Sequence, residues 1–363
     1  MGTIEDVNKV LDEDNVQVVA QVAPALRVTI GEEFGYKPGT VLTKQFIGSL
    51  KQAGFDKVFD TSTSADVVTV EEGTEFLKRL ETGECLPLFT SCCPASVLFI
   101  ERQFPQYVDH FCTVKSPQQT MGALIKTYYA EKMKLKQKDL FVVSVMPCVV
   151  KKLEAKRPEM EFNNIPHVDA VLTTKEIAEL LKGRRIELEK VKEENFDNLL
   201  GDASGAGQLF GTTGGVAEAL LRFVSNKLEQ DLGRVEFKEV RGMEGFREAN
   251  VKIAGKKFKV AIVDGLHHLK DLLSNEKKFK KYHAIELMVC PNGCIGGGGQ
   301  PISTPEIRAA RRKALFKIDS KENVRICMDN PEVKKLYNDY LGEPGSRKAV
   351  SFLHTSKVCL KCD

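Results

Sequence analysis

A pair of cysteines followed by a glycine-rich loop is the feature of this sequence with the clearest chemical potential. Cys290 and Cys294 stand four residues apart, and four consecutive glycines follow Ile295. An apolar run at 284–289 predicts a short buried strand that ends at Cys290. Four glycines cost conformational entropy and pack nothing, so they are expected where backbone approaches a bulky group closely. The stretch predicts a metal cluster; a flexible loop beside two buried thiols is the alternative.

Two further segments repeat this arrangement. The sequence TSCCP occupies 90–94, and MPCVVKK occupies 146–152 directly after a predicted strand at 141–145. Met146 precedes Cys148 by two residues, as Met288 precedes Cys290. The same arrangement of a strand end, a methionine and a cysteine is therefore predicted once in each half of the chain. One cubane iron–sulfur cluster needs four thiolates. The chain supplies them in Cys93, Cys148, Cys290 and Cys294, and leaves Cys92 over.

Acidic residues lie on a predicted helix shortly before the first cysteines. Glu72, Glu75 and Arg79 are three and four residues apart, which places all three on one face of a helix at 71–80. A solvated face with local ion pairs is the usual explanation of such a pattern. Because the helix ends only about a dozen residues before Cys92, a functional role stays open.

Net charge, a basic run and the number of cysteines bear on the partners and cofactors that the chain could have. The chain has 363 residues, 53 Lys and Arg against 50 Asp and Glu, and a net charge of +3, which gives no sign of nucleic acid binding. The basic run 308–317 has apolar residues at helical spacing and is expected to be a solvated helix face, only weakly a docking site for an acidic protein. Ten cysteines clustered in Gly/Pro-flanked loops favour metal binding over a disulfide framework.

No targeting or membrane segment is visible in the sequence. The N-terminus has no basic region followed by an apolar core, and no apolar run reaches membrane-spanning length. We therefore expect a cytoplasmic protein in a reducing compartment, without a membrane partner.

Strand and helix signals alternate through the chain and predict an α/β fold. We expect one domain over 1–363 made of two intertwined lobes, about 15–160 and 161–340. Each lobe is expected to be a small mixed sheet flanked by helices, with the metal cluster between them. Strands are predicted at 16–22, 57–59, 66–70, 140–145, 168–172, 251–253, 257–263 and 284–289. Helices are predicted at about 4–13, 41–53, 71–80, 97–104, 117–134, 173–182, 215–226, 266–274, 305–318 and 332–341.

The three cysteine segments together resemble the signature motifs of the [FeFe]-hydrogenase catalytic domain. These are TSCCP, MPCVVKK and CPNGC with the following GGGGQP. Three spaced motifs with five cysteines are far more specific than a lone CxxC. The likeness covers nearly the whole chain, because it extends to segments at 20–35, 71–80, 115–119, 156–160, 210–215 and 353–355.

The resemblance implies an H-cluster, in which a [4Fe-4S] cubane is joined to a two-iron subcluster with CO, CN⁻ and an azadithiolate bridge. It implies that Cys93, Cys148 and Cys290 bind the cubane. Cys294 would bind it too and bridge to the two-iron unit. Cys92 would face the azadithiolate amine and relay protons, since a thiolate ligand cannot also carry a proton.

The resemblance also implies residues around the two-iron unit. Lys151 would donate a charge-assisted hydrogen bond to a cyanide. Further cyanide and carbonyl contacts would come from Pro24, Ala25, Ser116 and Gln118. An apolar wall would consist of Phe89, Met146, Phe210 and Met288, with ordinary core packing an equal alternative for the two Phe.

A proton path is implied as well, in the order Cys92, Glu72, position 112, Glu75, Arg79, with Glu154 counted among the catalytic residues. The family usually has Ser where this chain has Cys112, and a thiol is the weaker hydrogen-bond partner. Cys112 is expected to relay protons less well, and the alternative is that it is a buried small residue off the path. Ser96 likewise stands where the family usually has Trp.

Three functions are compatible with these residues. The first is a hydrogenase that interconverts protons and H₂, and the second is an H₂ sensor with the same cofactor. The third is an iron–sulfur assembly or binding protein without hydrogen chemistry. No ferredoxin-like cysteine motif precedes residue 20, so we expect an external ferredoxin-type donor to reduce the cubane directly. We also expect dependence on hydrogenase maturases, and a non-essential tail at 356–363 that carries Cys359 and Cys362.

Overall fold

The computed structural model describes residues 2–13, 15–229 and 233–355. The tail with Cys359 and Cys362 lies outside the described residues. No described helix is both long and apolar enough to cross a membrane.

Over the described residues, ten strands form two four-stranded sheets and one small hairpin. In chain order they are β1 (Gln17–Val22), β2 (Lys57–Asp60), β3 (Leu88–Phe89), β4 (Leu140–Met146), β5 (Glu161–Phe162), β6 (Ile165–Pro166), β7 (Ala170–Thr173), β8 (Phe246–Ile253), β9 (Lys256–Asp264) and β10 (Ala284–Met288).

The α-helices cover the sheets and connect their strands. They are α1 (Ile4–Leu11), α2 (Thr43–Gln52), α3 (Thr61–Thr82), α4 (Pro94–Gln103), α5 (Pro117–Leu124), α6 (Ala130–Met133), α7 (Lys151–Glu154), α8 (Thr174–Gly183), α9 (Gly205–Leu209), α10 (Gly215–Glu229), α11 (Leu266–Leu273), α12 (Glu276–Phe279), α13 (Pro305–Lys321), α14 (Pro331–Leu336) and α15 (Arg347–Leu353). A π-helical segment, Ile125–Tyr129, joins α5 to α6, and another, Tyr337–Leu341, extends α14.

The first sheet is entirely parallel, in the order β2-β1-β4-β7. Its central strands β1 and β4 are almost wholly buried, as continuous apolar runs covered by helices on both faces require. The second sheet has the order β3-β10-β9-β8, with β8 antiparallel to β9 across a turn at Ala254 and Gly255. The predicted α/β fold with small sheets flanked by helices is confirmed.

The carboxyl ends of the parallel strands deliver the cysteine loops. Strand β4 ends at Met146 and β10 ends at Met288, so Cys148 and Cys290 each lie two residues past a strand. Strand β3 pairs in parallel with β10, and its chain continues through Thr90 to Cys92. Ligand sites of α/β proteins lie at this edge of a sheet, because the loops from parallel strands converge there.

One predicted strand is wrong. Residues 66–70 belong to α3, a 22-residue helix that begins at Asp60 as N-cap and includes the predicted helix at 71–80. The helix packs against α5, α9 and α10, and every residue of it from Thr61 to Gly73 is buried. A helix that is buried all round shows no 3.6-residue period, so its β-branched run resembles a strand in the sequence.

Candidate active site

The four proposed ligand thiols lie close enough to influence one another. Cys93 is the N-cap residue of α4, and Cys294 lies in a short 3₁₀ helix, Gly293–Gly296, after β10. Burial, then the charges of Cys93 and Cys148, raise the pKa of Cys290 to about 12. Burial, followed by the charges of Cys148, Cys93 and Cys290, also raises the pKa of Cys294 well above its usual value. Four thiols that oppose one another's ionisation form one group, and a shared metal cluster would relieve this repulsion.

The donor set fits a cluster better than a single ion. Within the described residues no three His, Cys, Asp or Glu side chains are arranged to hold one metal ion. Cubane ligands need no common point, because each thiolate binds a different iron. Backbone N–H groups of Val150 and Lys151 are directed at the Cys148 sulfur, and that of Gly298 at Cys290. Hydrogen bonds to ligand sulfurs are a usual feature of protein-bound iron–sulfur clusters.

The glycine loop approaches protein backbone at most of its positions. A Cβ added to Gly297 would lie 2.3 Å from the Pro147 carbonyl oxygen, and one on Gly296 would lie 2.2 Å from that of Pro291. A Cβ on Gly299 would meet Thr173 at 2.8 Å. Only Gly298 of the four faces open space, and its N–H is the one directed at Cys290. The loop is glycine-rich chiefly so that it can pack on the cysteine loop that follows β4.

A buried arginine holds both ends of this loop. Arg311 on α13 donates to the Ile295 carbonyl oxygen at 2.6 Å and to that of Pro301 at 3.1 Å. Its remaining donors bind both carboxylate oxygens of Glu32, at 2.7 and 2.5 Å. This pair was not expected from the sequence, where Arg311 appears as one residue of a basic helix.

Lys151 is aimed at the first cysteine segment and is held by a carboxylate. Its ammonium donates to the Cys92 carbonyl oxygen at 3.1 Å and to Glu154 Oε2 at 2.9 Å. Although burial opposes the charge, Glu154 raises the pKa of Lys151 and keeps it protonated. Glu154 Oε2 also accepts from Ser116 Oγ and Gln118 Nε2, both at 3.0 Å. Glu154 therefore holds Lys151, Ser116 and Gln118 in place, and all three are predicted to contact the cofactor.

The other predicted cofactor neighbours are buried side chains. Pro24 and Ala25 open a short helix directly after β1, and the Ala25 backbone lies next to Gly211, which follows Phe210. Met146, Met288 and Phe210 belong to the main core. Phe89 belongs to a second core, where its ring packs against Phe111, Phe279 and His110. Core packing accounts fully for the observed contacts of Phe89.

The surroundings of Cys92 and Glu72 favour the protonated form of each side chain. Burial, and then the charge of Glu72, raise the pKa of the Cys92 thiol well above its usual value. Burial, followed by Glu75 and Glu286, raises the pKa of Glu72 to about 8. Glu72 Oε1 is buried without a hydrogen-bond partner among the described residues. A neutral carboxyl with a free oxygen beside a neutral thiol is suited to proton transfer near neutral pH.

Glu75 is the meeting point of the outer groups. Its Oε1 pairs with Arg79 at 2.5 Å, and its Oε2 accepts from the Cys112 thiol at 3.3 Å. Arg79 is only 2% exposed and donates to the Phe111 carbonyl oxygen, whereas the Glu75 side chain is 15% exposed. Cys112 also lines a surface cavity. The structure thus brings Cys112 and Arg79 into contact with Glu75, and the Glu75 side chain is more exposed than that of Arg79.

Two protein-family models together match most of this chain. Residues 16–298 match the model described as iron only hydrogenase large subunit, C-terminal domain, and residues 305–356 match the iron hydrogenase small subunit. This chain belongs to the iron-only hydrogenase family. The first match includes all five cysteines at the site, and the second begins just after the glycine loop.

Named relatives agree with this family. The NADP-reducing hydrogenase subunit HndD of Solidesulfovibrio fructosivorans is 42% identical over 97% of this chain and 61% of its own length. Iron hydrogenase 1 of Clostridium pasteurianum is 39% identical over 97% of this chain and 62% of its own length. This chain therefore spans about three fifths of these two iron hydrogenases. Relatives named for cytosolic iron–sulfur assembly match at 29% to 30% identity.

The fold matches solved iron-only hydrogenase structures. The apo [FeFe]-hydrogenase HydA1 of Chlamydomonas reinhardtii superposes with a TM-score of 0.86 at 36% identity, and the match covers 99% of both chains. The two-sheet arrangement described above is therefore that of the hydrogenase catalytic domain.

Proposed function

We propose that this iron-only hydrogenase family member catalyses the reversible reaction of two protons and two electrons to H₂ at an H-cluster. The feature that carries the proposal is Cys92, a fifth thiol next to the proposed ligand Cys93, whose pKa is raised well above its usual value by burial and then by the charge of Glu72. A protein that only stores a cubane needs four thiolates, and has no use for a fifth thiol joined to a carboxyl relay.

The residues divide between cofactor binding and proton transfer. Cys93, Cys148, Cys290 and Cys294 would hold the cubane, and Cys294 would also hold the two-iron unit. When bound, that unit supplies the metal site at which protons and electrons combine. Lys151 would present a fixed positive charge to a cyanide ligand, because Glu154 keeps the ammonium charged and oriented. Ser116 and Gln118 are bound to the same carboxylate, and their remaining polar atoms would face the cyanide and carbonyl ligands of the cofactor.

Proton movement is assigned to Cys92 and to the carboxyl and thiol groups that lead away from it. Cys92 Sγ–H would hold a proton next to the bound cofactor, and Glu72 would restore it. Glu72 would in turn exchange with Glu75, with Cys112 between them, and Arg79 would hold Glu75 in place.

Electrons would enter at the cubane side of the site. The thiols of Cys148 and Cys290 are partly exposed, so a small iron–sulfur protein of the ferredoxin type would approach the cubane closely. Assembly of the two-iron unit would require hydrogenase maturases. Free thiols at all five site cysteines suit the reducing environment of a cytoplasm.

The proposal is tested by infrared spectroscopy of protein matured with the two-iron unit, followed by an H₂ evolution assay. We expect bands of metal-bound CO and CN⁻, together with steady turnover. Bands without turnover would favour the H₂ sensor instead. A cubane without CO or CN⁻ bands after maturation would favour the assembly or storage role. Iron analysis before maturation should give about four irons per chain, and a second cubane would contradict direct electron entry.

Substitutions at Cys112 test the outer half of the relay. Cys112→Ser should retain or raise turnover, because a hydroxyl is a better hydrogen-bond donor than a thiol toward Glu75. Cys112→Ala should lower turnover, since it leaves no donor at this position. H₂ evolution at several pH values, with unchanged infrared bands, is the measurement. Turnover of Cys112→Ala at the level of the parent would place position 112 off the path.

A further inference from the structure

Two arginines one turn apart on α13 begin at the loop that carries the last two proposed ligands, Cys290–Cys294. Arg308 Nε donates to the side-chain oxygen of Asn292 at 2.9 Å, and Asn292 lies inside that loop. Arg312 follows Arg308 by four residues, and side chains with this spacing share one face of a helix. A positively charged face of α13 therefore starts directly beside the proposed cluster ligands.

Arg312 has no polar partner among the described residues. Its Nε is buried without a hydrogen bond, and no ion pair of the described chain includes this side chain. An arginine stays protonated in proteins, so the guanidinium is a permanent cation. It lies over the Phe316 ring, one further turn along α13, with its central carbon 4.7 Å from the ring centre. Stacking on a ring leaves the N–H groups at the edge of the guanidinium available to an anion.

Two further arginines crowd the same place. The guanidinium of Arg241 lies over the same Phe316 ring, 4.5 Å from its centre. Burial, followed by the charges of Arg247 and Arg241, lowers the pKa of Arg312. The direction of this change means that the neighbouring cations oppose the charge of Arg312. An anion brought to the guanidinium would relieve that repulsion.

The carboxylates of this region are held by the other arginines. Glu218 Oε1 lies 2.6 Å from Arg241, and Asp264 Oδ2 lies 3.5 Å from Arg247. Neither carboxylate forms an ion pair with Arg312. The described residues therefore leave one cation of the group to be neutralised by another molecule.

We propose that the arginine strip, made of Arg308, Arg312, Phe316 and Arg241, is the docking surface for an acidic iron–sulfur protein that delivers electrons to the cubane. All four side chains are partly exposed. A carboxylate of the carrier would bind a guanidinium through two parallel hydrogen bonds. Because the strip starts at Asn292, a carrier bound there lies beside the cubane ligands. The inference rests on the proposed function, in which the cubane takes electrons from outside the chain.

The shape of the strip favours a protein over a small anion. From Arg308 to Phe316 it extends about 12 Å along the helix, which is more than one phosphate or carboxylate group can cover. Arginine and aromatic side chains are also the residues that contribute most to protein interfaces. A row of carboxylates on a small acidic protein matches both the length and the charge of the strip.

Arg312→Glu tests the strip in matured protein, with a reduced bacterial two-cluster ferredoxin as the electron donor. We expect the KM for ferredoxin to rise about tenfold, at the low end of the effects of charge on association. Turnover with saturating reduced methyl viologen, a small donor that needs no docking surface, should stay at the level of the parent. Arg312→Lys keeps the positive charge and should retain a KM close to that of the parent.

Two further variants separate a local contact from a change in overall charge. Lys317→Glu is the matched control, because Lys317 is exposed on the same helix but lies about 140° around it from Arg312. This variant should leave the KM for ferredoxin nearly unchanged. Glu244→Gln should have the opposite effect to Arg312→Glu. Glu244 is exposed and its charge acts on Arg312, so its removal leaves the strip more positive and should lower the KM.

A second readout needs neither the two-iron unit nor turnover. In calorimetric titration of unmatured protein with oxidised ferredoxin, Arg312→Glu should bind more weakly than the parent and depend less on salt, because a charge contact is lost. Equal affinity and equal KM in Arg312→Glu and the parent would overturn the docking surface. Binding of NADPH that Arg312→Glu abolishes, with ferredoxin binding unchanged, would overturn it in favour of a nucleotide site. In both cases, turnover with methyl viologen and intact CO and CN⁻ bands would still support the proposed function.

Discussion

Replacement of Cys92 by Ala should lower H₂ evolution by at least about 100-fold, the range expected for loss of a positioned proton donor. Among the five cysteines of the three signature segments, Cys92 is the one outside the proposed ligand set, and burial followed by the charge of Glu72 raises its pKa well above the usual value. Burial, followed by the charges of Glu75 and Glu286, raises the pKa of Glu72 to about 8. Alanine has no exchangeable proton and leaves a small cavity, so Glu72 would have to reach the metal site directly. The measurement is turnover of matured protein with an artificial electron donor.

The same variant should keep its metal centre. Cys92 is not among the four proposed ligands, so iron content and the CO and CN⁻ bands should match those of the parent. Cys327→Ala is a suitable control. Cys327 is a buried free thiol in the 3₁₀ helix Cys327–Asp329, and its nearest charged neighbour is Asp66, not Glu72. Turnover of Cys92→Ala within a fewfold of the parent would show that protons reach the site by another route.

Much of the site could be predicted because its residues occur in short, dense segments. The loops after β4 and β10 follow apolar runs, so strand ends and cysteines can be placed together from local pattern alone. The face shared by Glu72, Glu75 and Arg79 follows from helical spacing and is present in α3. The error at 66–70 has the opposite cause, since burial on every side removes the periodicity on which such predictions depend.

Contacts between distant segments could not be predicted. The Arg311–Glu32 pair joins residues 279 positions apart, and the Thr113–His354 contact joins residues 241 apart. Charged residues of this kind look like solvated surface in the sequence, because nothing local marks the partner that satisfies them. Glu286 is a further example. It lies on β10, accepts from the N–H groups of Gly214 and Ala217, and raises the pKa of Glu72 through its charge.

The position of Arg311 bears on how the site holds its cluster. By binding the Ile295 and Pro301 carbonyl oxygens, Arg311 fixes the backbone on both sides of the glycine loop. Gln300 Nε2 donates to the Cys294 carbonyl oxygen at 3.2 Å, and the Gly297 N–H donates to the same oxygen at 3.0 Å. The backbone at Cys294 is therefore held by two hydrogen bonds from its own loop.

Cys294→Ala should consequently remove the metal site itself. With three thiolates left, one iron of the cubane would lack a protein ligand, and the two-iron unit would lack its attachment. A cubane would give about four irons per chain, and we expect the reconstituted variant to hold fewer. After maturation it should show no CO or CN⁻ bands. Cys92→Ala and Cys327→Ala, treated identically, should both retain the full iron content. A Cys294→Ala protein with the parent's iron content and electron paramagnetic resonance spectrum would remove Cys294 from the ligand set. It would also leave Cys92 as the candidate for the fourth thiolate, because Cys92 would then be the remaining thiol of the site.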